Sequence, residues 1–120
     1  MVKSYWLFFL LFLLSCGKPL PHLEGVDLPR WQTDKNGCSG HRAASIDALT
    51  RQCESLKALS EMQIVDLFGK PDQNELYKRN QKFYTYFLNP SARCPTPADT
   101  VRKLVIRFNA MGLAKEVLVE

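Results

Sequence analysis

The chain has no apolar run long enough to cross a bilayer. Its longest, Tyr5–Leu14, covers about ten residues, whereas a spanning helix needs roughly twenty. It has no basic stripe: the formal charge of +4 comes from Lys and Arg scattered among Asp and Glu, so nothing supports a nucleic-acid interface. It is poor in histidine, with His22 and His41 alone, and carries no nucleophile elbow around Ser39, His41 and Asp47, so a hydrolase constellation is not expected. Internal repeats and low-complexity tracts are also missing. No catalytic residue, no cofactor and no metal is expected.

What is present begins with an address. Lys3 precedes the apolar run, and a short charged region followed by 7 to 15 apolar residues and a small residue describes a secretory signal peptide. The tetrad Leu13, Leu14, Ser15 and Cys16 resembles a bacterial lipobox. That resemblance implies removal of residues 1–15, a diacylglycerol on the Cys16 sulfur and a further acyl chain on its nitrogen. Several chains make anchoring stable, since each buried methylene contributes about 0.8 kcal/mol. Sorting rules for such proteins retain those with Asp after the cysteine at the inner membrane. Gly17 stands there, which implies the outer membrane, on its periplasmic face.

Residues 16–30 hold Pro19, Pro21 and Pro29 with Gly17 and Gly25, and read as a flexible tether. The remaining 31–120 make one small domain, of a size at which burial is limited and cross-links help. Three cysteines follow Cys16. Ile46, Leu49, Cys53 and Leu56 recur at steps of three, four and three, which puts Cys53 on the apolar face of a helix. Cys38, near Gly37 and Gly40, and Cys94, among prolines, are loop residues. In an oxidising compartment the expected disulfide is Cys38–Cys94.

The apolar spacing predicts a first helix from about Gly40 or His41 to Ser55, with Arg42, Asp47, Arg51 and Glu54 on its polar side and Arg42 solvated. Ser60 with Gln63 forms a capping box for a second helix, which turns Ile64, Leu67 and Phe68 inward and ends at Gly69 before Pro71. "GKPDQNELYKRN" reads as a polar turn. "QKFYTYFL" is a strand with Phe83, Thr85 and Phe87 on one face and Tyr84, Tyr86 and Leu88 on the other. The polarity difference does not choose the core face. "RKLVIRFN" alternates with Leu104, Ile106 and Phe108 inward, "NAMG" is a hairpin turn needing positive φ at Gly112, and "LAKEVLVE" returns with Val117 and Val119 on one face. The expected fold is α+β: two N-terminal helices packed on a three-stranded antiparallel sheet. Trp31 is expected to cover a helix end. An aromatic outer sheet face is a natural docking surface, with Tyr77, Tyr84 and Tyr86 as the expected partner contacts.

"LKALSEMQIVDLFGKPD", the strand "FYTYF" and "LVIRFNAMGLAKEVLV" together resemble the SmpA/OmlA, or BamE-like, outer-membrane lipoproteins. Leu59 and Ser60 stand for that family's Met-Thr pair, Gln63 and Ile64 for its Gln-Val, and Phe68, Gly69 and Pro71 for Leu-Gly-x-Pro. Tyr86 matches the strand tyrosine, and Phe108 with Gly112 the last element. Ala58 replaces the family's glycine, and Phe83 or Tyr84 its tryptophan; the cysteine pair and "WQTDKNGCSGHR" lie outside the pattern. The resemblance implies two helices on three strands and a non-catalytic binding or assembly role, with the machinery that folds outer-membrane β-barrels as partner. Two alternatives stay open: an envelope module that binds or inhibits one dedicated protein, and a zinc-binding envelope protein using Cys38, His41, Cys53 and Cys94.

Overall fold

The computed structural model of the chain describes residues 18–77 and 81–120, with Tyr77 as backbone only. The signal segment, the lipobox and Cys16 therefore lie outside the described residues. Helix α1 spans Leu28–Thr33, α2 Ile46–Gln52 and α3 Glu61–Phe68; strands follow at Gln73–Tyr77 (β1), Gln81–Phe87 (β2), Lys103–Phe108 (β3) and Ala114–Val119 (β4). The four strands form one antiparallel meander in the order β1-β2-β3-β4.

The fold class is α+β, with three corrections to its elements. The expected three-stranded sheet has a fourth strand, because "QNELY" pairs with β2 from Gln73 opposite Thr85 to Tyr77 opposite Gln81. An edge strand packed by its neighbour's backbone needs no apolar alternation of its own, so its polar sequence reads as a turn. The helix expected from Gly40 to Ser55 is broken into a 3₁₀ turn at Ala43–Ser45, α2, and a second 3₁₀ turn at Cys53–Leu56. Thr50 Oγ1, Gln52 Nε2 and Cys53 Sγ each donate to the carbonyl four residues back. Such bonds compete with the backbone ladder where the helix tightens. Finally, α1 starts inside the expected tether, capped by Asp27, which accepts from the Arg30 amide, and started by Pro29.

The spacer from Lys18 to Arg30 is not free of the domain. Leu23 is buried, Val26 and Leu28 pack on the core, and Lys18 Nζ donates to the carbonyls of Ser55 and Lys57 at 2.8 Å each. Glu24 and Gln52 exchange two further bonds. The part of the expected tether from Lys18 onward is thus packed against the domain.

Helix α3 behaves as its sequence requires. The Ser60 hydroxyl accepts from the Gln63 amide while Gln63 Oε1 accepts from the Ser60 amide; Ile64, Leu67 and Phe68 are buried, and Gly69 ends the helix at φ 79°. Its leading edge is tied to β4, since Ala58 N donates to Ala114 O and Ala114 N to Leu59 O, both at 2.8 Å. That tie holds Ala58 at φ 70°, a conformation costing an L-residue about 1–2 kcal/mol. Ala58→Gly should therefore stabilise the protein by about 0.5–1 kcal/mol, the relieved strain less the extra entropy of an unfolded glycine, read as a rise in the urea midpoint.

The sheet presents one face to all three helices. Tyr84, Tyr86, Leu88, Leu104, Ile106, Phe108, Ala114 and Val117 join Trp31, Leu49, Leu56, Leu59, Ile64 and Phe68 in a single core. A bulge after Arg107, opposite Lys115 and Glu116, brings both Ala114 and Val117 inward although they are three residues apart. At the β3–β4 turn Asn109 Oδ1 accepts from Met111 N and Leu113 N, with Gly112 at φ 78°.

Candidate functional site

The structure chooses the core face that the alternation of β2 leaves undecided. Tyr86 is fully buried against Trp31 and Phe68, with ring centroids 5.1 and 5.6 Å away, and Tyr84 lies edge-on to Phe108 at 4.8 Å. Tyr84 and Tyr86 are therefore core residues, not the partner contacts expected of them; the Tyr77 side chain falls outside what the structure describes. Each buried phenol has an acceptor: Tyr86 donates to Gly69 O at 2.8 Å, bracing the end of α3, and Tyr84 to Glu61 Oε1 at 3.1 Å. Trp31 is core as well, and its indole N–H has no acceptor among the described residues.

Burial raises the Tyr86 hydroxyl, and burial, followed by the hydrogen bond to Glu61, pushes Tyr84 up to about 12 from 10.0. A group whose folded pKa is raised favours the protonated folded state. The contribution is complete below pH 10 and lost as pH climbs through 12. The urea midpoint should fall over that alkaline interval, and Tyr84→Phe should remove part of the fall.

Beneath the aromatics lies a polar node built around Arg42. Far from being solvated at the start of a helix, Arg42 is 1% exposed. Its Nε donates to Trp31 O at 2.9 Å, and Nη1 to Asp72 Oδ2 at 2.6 Å and Phe87 O at 3.1 Å. The guanidinium also stacks 4.2 Å from the Trp31 ring centroid. Fully buried Asp34 accepts from the Ser39 and Arg42 amides, and Asp72 from the Asn36 and Phe87 amides. One arginine and two carboxylates thus fasten the segment 31–42, the loop between α3 and β1, and strand β2 to one another.

The Cys38–Cys94 disulfide is present, with Cα atoms 5.4 Å apart. It closes the same corner: Ser91 N donates to Asn36 O, and a Cβ on Gly37 would collide with Asn89 O, so only glycine allows this approach. Cys53 is left as a thiol, half-buried on the α2 side, donating to Leu49 O and pushed up by burial and by Glu54. Ser39, His41 and Asp47 are exposed and not hydrogen-bonded to one another. Among the described residues no group of His, Cys, Asp and Glu is arranged to hold a metal ion, and no helix is long and apolar enough to cross a membrane.

The outer sheet face carries apolar side chains turned away from the helices. Phe83 and Phe87 on β2, Val105 on β3 and Leu118 on β4 point away from the helices, half-buried or, at Leu118, 49% exposed. Arg107 and Glu116 pair across β3 and β4 at 3.2 Å on the same face. Two shallow hollows flank its β1 end. One, of about 270 Å³, is lined by Gln73, Phe87, Val101, Arg93 and Lys103; the other, of about 210 Å³, by Lys35, Asn36, Lys70, Asp72 and Arg93. Sequence reasoning missed the Arg42 node entirely. Its members are separated by 8 to 45 residues, and no local periodicity marks a charge that is buried by distant partners.

No family model matches this chain, and neither a curated protein nor a solved structure matches it.

Proposed function

We propose that the chain is a lipoprotein anchored through Cys16 to the periplasmic face of the outer membrane, whose α+β domain is a non-catalytic binding module in the assembly of outer-membrane β-barrels. The observation that carries this reading is the outer sheet face. Phe87, Val105 and Leu118 make an apolar band across three strands that no described helix covers, bordered by charged pairs, the composition of a docking patch with a polar rim. The contact surface assigned here is therefore this band, in place of Tyr84 and Tyr86.

Two features support the family side of the reading. Ala58 occupies the position where the SmpA/OmlA-like pattern has glycine, and its φ of 70° gives a physical reason for a glycine there. The capping box at Ser60 and Gln63 likewise gives the pattern's Thr and Gln a common task. An anchor raises the local concentration of the domain at the membrane, which makes weak contacts effective.

The disulfide-braced corner favours a second reading, an envelope module for one dedicated protein, because the segment 31–42 is not part of the family's pattern. Photoreactive residues at Val105 and Leu118, with Arg51 on the helical side as control, separate the two in intact envelopes. Adducts with several barrel-assembly components at 105 and 118 alone support the first. One stoichiometric protein outside that machinery supports the second, and equal yields at all three positions remove the outer face from the account.

A further inference from the structure

The hollow beside Asp72 has a charge distribution that the binding-module reading does not use. Lys35 from the turn after α1, Lys70 from the residue after Gly69, and Arg93 from the connection between β2 and β3 all line it. Asp72 is its one carboxylate among the described residues, and it is committed inward. Oδ1 accepts from the Asn36 amide, and Oδ2 accepts from the Phe87 amide and from Arg42, whose charge balances it. Lys35 and Lys70 make no ion pair or side-chain hydrogen bond among the described residues. Arg93 Nη1 rests against the neutral oxygens of Asn36 and Asp72 O at 3.5 and 3.4 Å. Three cationic residues thus line one hollow whose described carboxylate is already paired.

The backbone segments that carry these three residues are held together. The disulfide ties the Arg93 side to the Lys35 side, the Ser91 amide bonds Asn36 O, and Gly69, next to Lys70, is braced by the Tyr86 hydroxyl while Gln32 Nε2 bonds Leu67 O. Like charges carried around one hollow repel, and an anion between them relieves the repulsion. An arginine fork beside two lysine point charges suits a tetrahedral oxyanion. Three positive charges call for a dianion rather than the single charge of a diester. Arg93 is also the wall shared with the second hollow, where Phe87 and Val101 offer apolar surface.

We propose that Lys35, Lys70 and Arg93 bind the phosphate of a phosphomonoester, and that its apolar or aromatic substituent passes Arg93 to rest on Phe87 and Val101. The three cations and Val101 lie outside the docking band, and Phe87 alone is shared with it, so substitutions at Lys35, Lys70, Arg93 and Val101 test this site separately from protein docking.

The test is titration of the full-length protein in detergent micelles with phenyl phosphate and with inorganic phosphate, following amide shifts of Asn36, Lys70 and Cys94, and sedimentation with diester vesicles of phosphatidylglycerol or phosphatidylcholine. Phenyl phosphate should saturate one site and bind about tenfold more tightly than inorganic phosphate, a difference that Val101→Ser abolishes. Lys35→Gln, Lys70→Gln and Arg93→Gln, all at exposed positions, should each weaken both ligands about tenfold. Retention of affinity in the triple variant, with its thermal transition unchanged, would overturn the site. So would binding to phosphatidylglycerol vesicles without phenyl phosphate binding, which would assign the cations to a lipid surface.

Discussion

Arg42→Met should destabilise the protein by about 3–5 kcal/mol, the cost of leaving one member of a buried ion pair uncompensated. Arg42 and Asp72 side chains are 1% and 4% exposed with N···O at 2.6 Å, so water cannot take the place of a lost partner. The variant also strands the carbonyls of Trp31 and Phe87 and removes the cation from the Trp31 face. Domains in general hold only about 5–15 kcal/mol, and one this small sits toward the lower end. Urea denaturation followed through Trp31 should place the variant largely in its transition at low denaturant. The double variant Arg42→Met with Asp72→Asn should cost clearly less than the two single variants added together, because neither charge is then left alone. Strict additivity would mean that the two do not act as a pair.

Removing the disulfide has the second large effect. Cys38 and Cys94 are 56 residues apart, and a loop of that size restricts the unfolded chain by about 4 kcal/mol in the chain-entropy model. Cys38→Ser with Cys94→Ser should lower the stability by about that amount. Dithiothreitol should do the same to the wild type and nothing further to the variant. Cys53→Ser, by contrast, replaces a half-buried thiol that already donates to Leu49 O and should change the midpoint far less. The pairing of effects is informative: the disulfide and the Arg42 node close the same corner from outside and inside, through Asn36. Losing both should cost less than their sum if they restrain the same segments.

Local sequence carried a good part of this architecture and failed in a consistent way. Leu104, Ile106 and Phe108 alternate so cleanly that β3 could be read with its inward face. Ser60 and Gln63 cap α3 through bonds three residues apart, and Gly69 and Gly112 take the positive φ their turns demand. Cys38 with Cys94 followed from assigning Cys53 to a helix face. These are features whose causes lie within a few residues. Strand β1 was hidden because its order comes from pairing with β2, and the inward face of β2 because tyrosines and phenylalanines differ too little in polarity. Arg42, Asp34 and Asp72 were hidden for a stronger reason: a buried charge is stable only with its partners, and those are supplied by the fold. The candidate site divides the same way. The lipobox expected at Cys16 is a short sequence pattern that lies outside the described residues, whereas the outer apolar band and the Lys35, Lys70 and Arg93 hollow exist only once the strands and the 31–42 segment are assembled.

The central claim is that this domain works as a membrane-tethered partner of the barrel-assembly machinery. It is tested most directly by crosslinking tagged protein in native envelopes and comparing wild type with Cys16→Ala after affinity capture. The account predicts enrichment of barrel-assembly components with the wild type and its loss with Cys16→Ala, the variant remaining folded with its Cys38–Cys94 bond. Absence of those components from both captures would contradict it, leaving the α+β domain in place and withdrawing the assembly role.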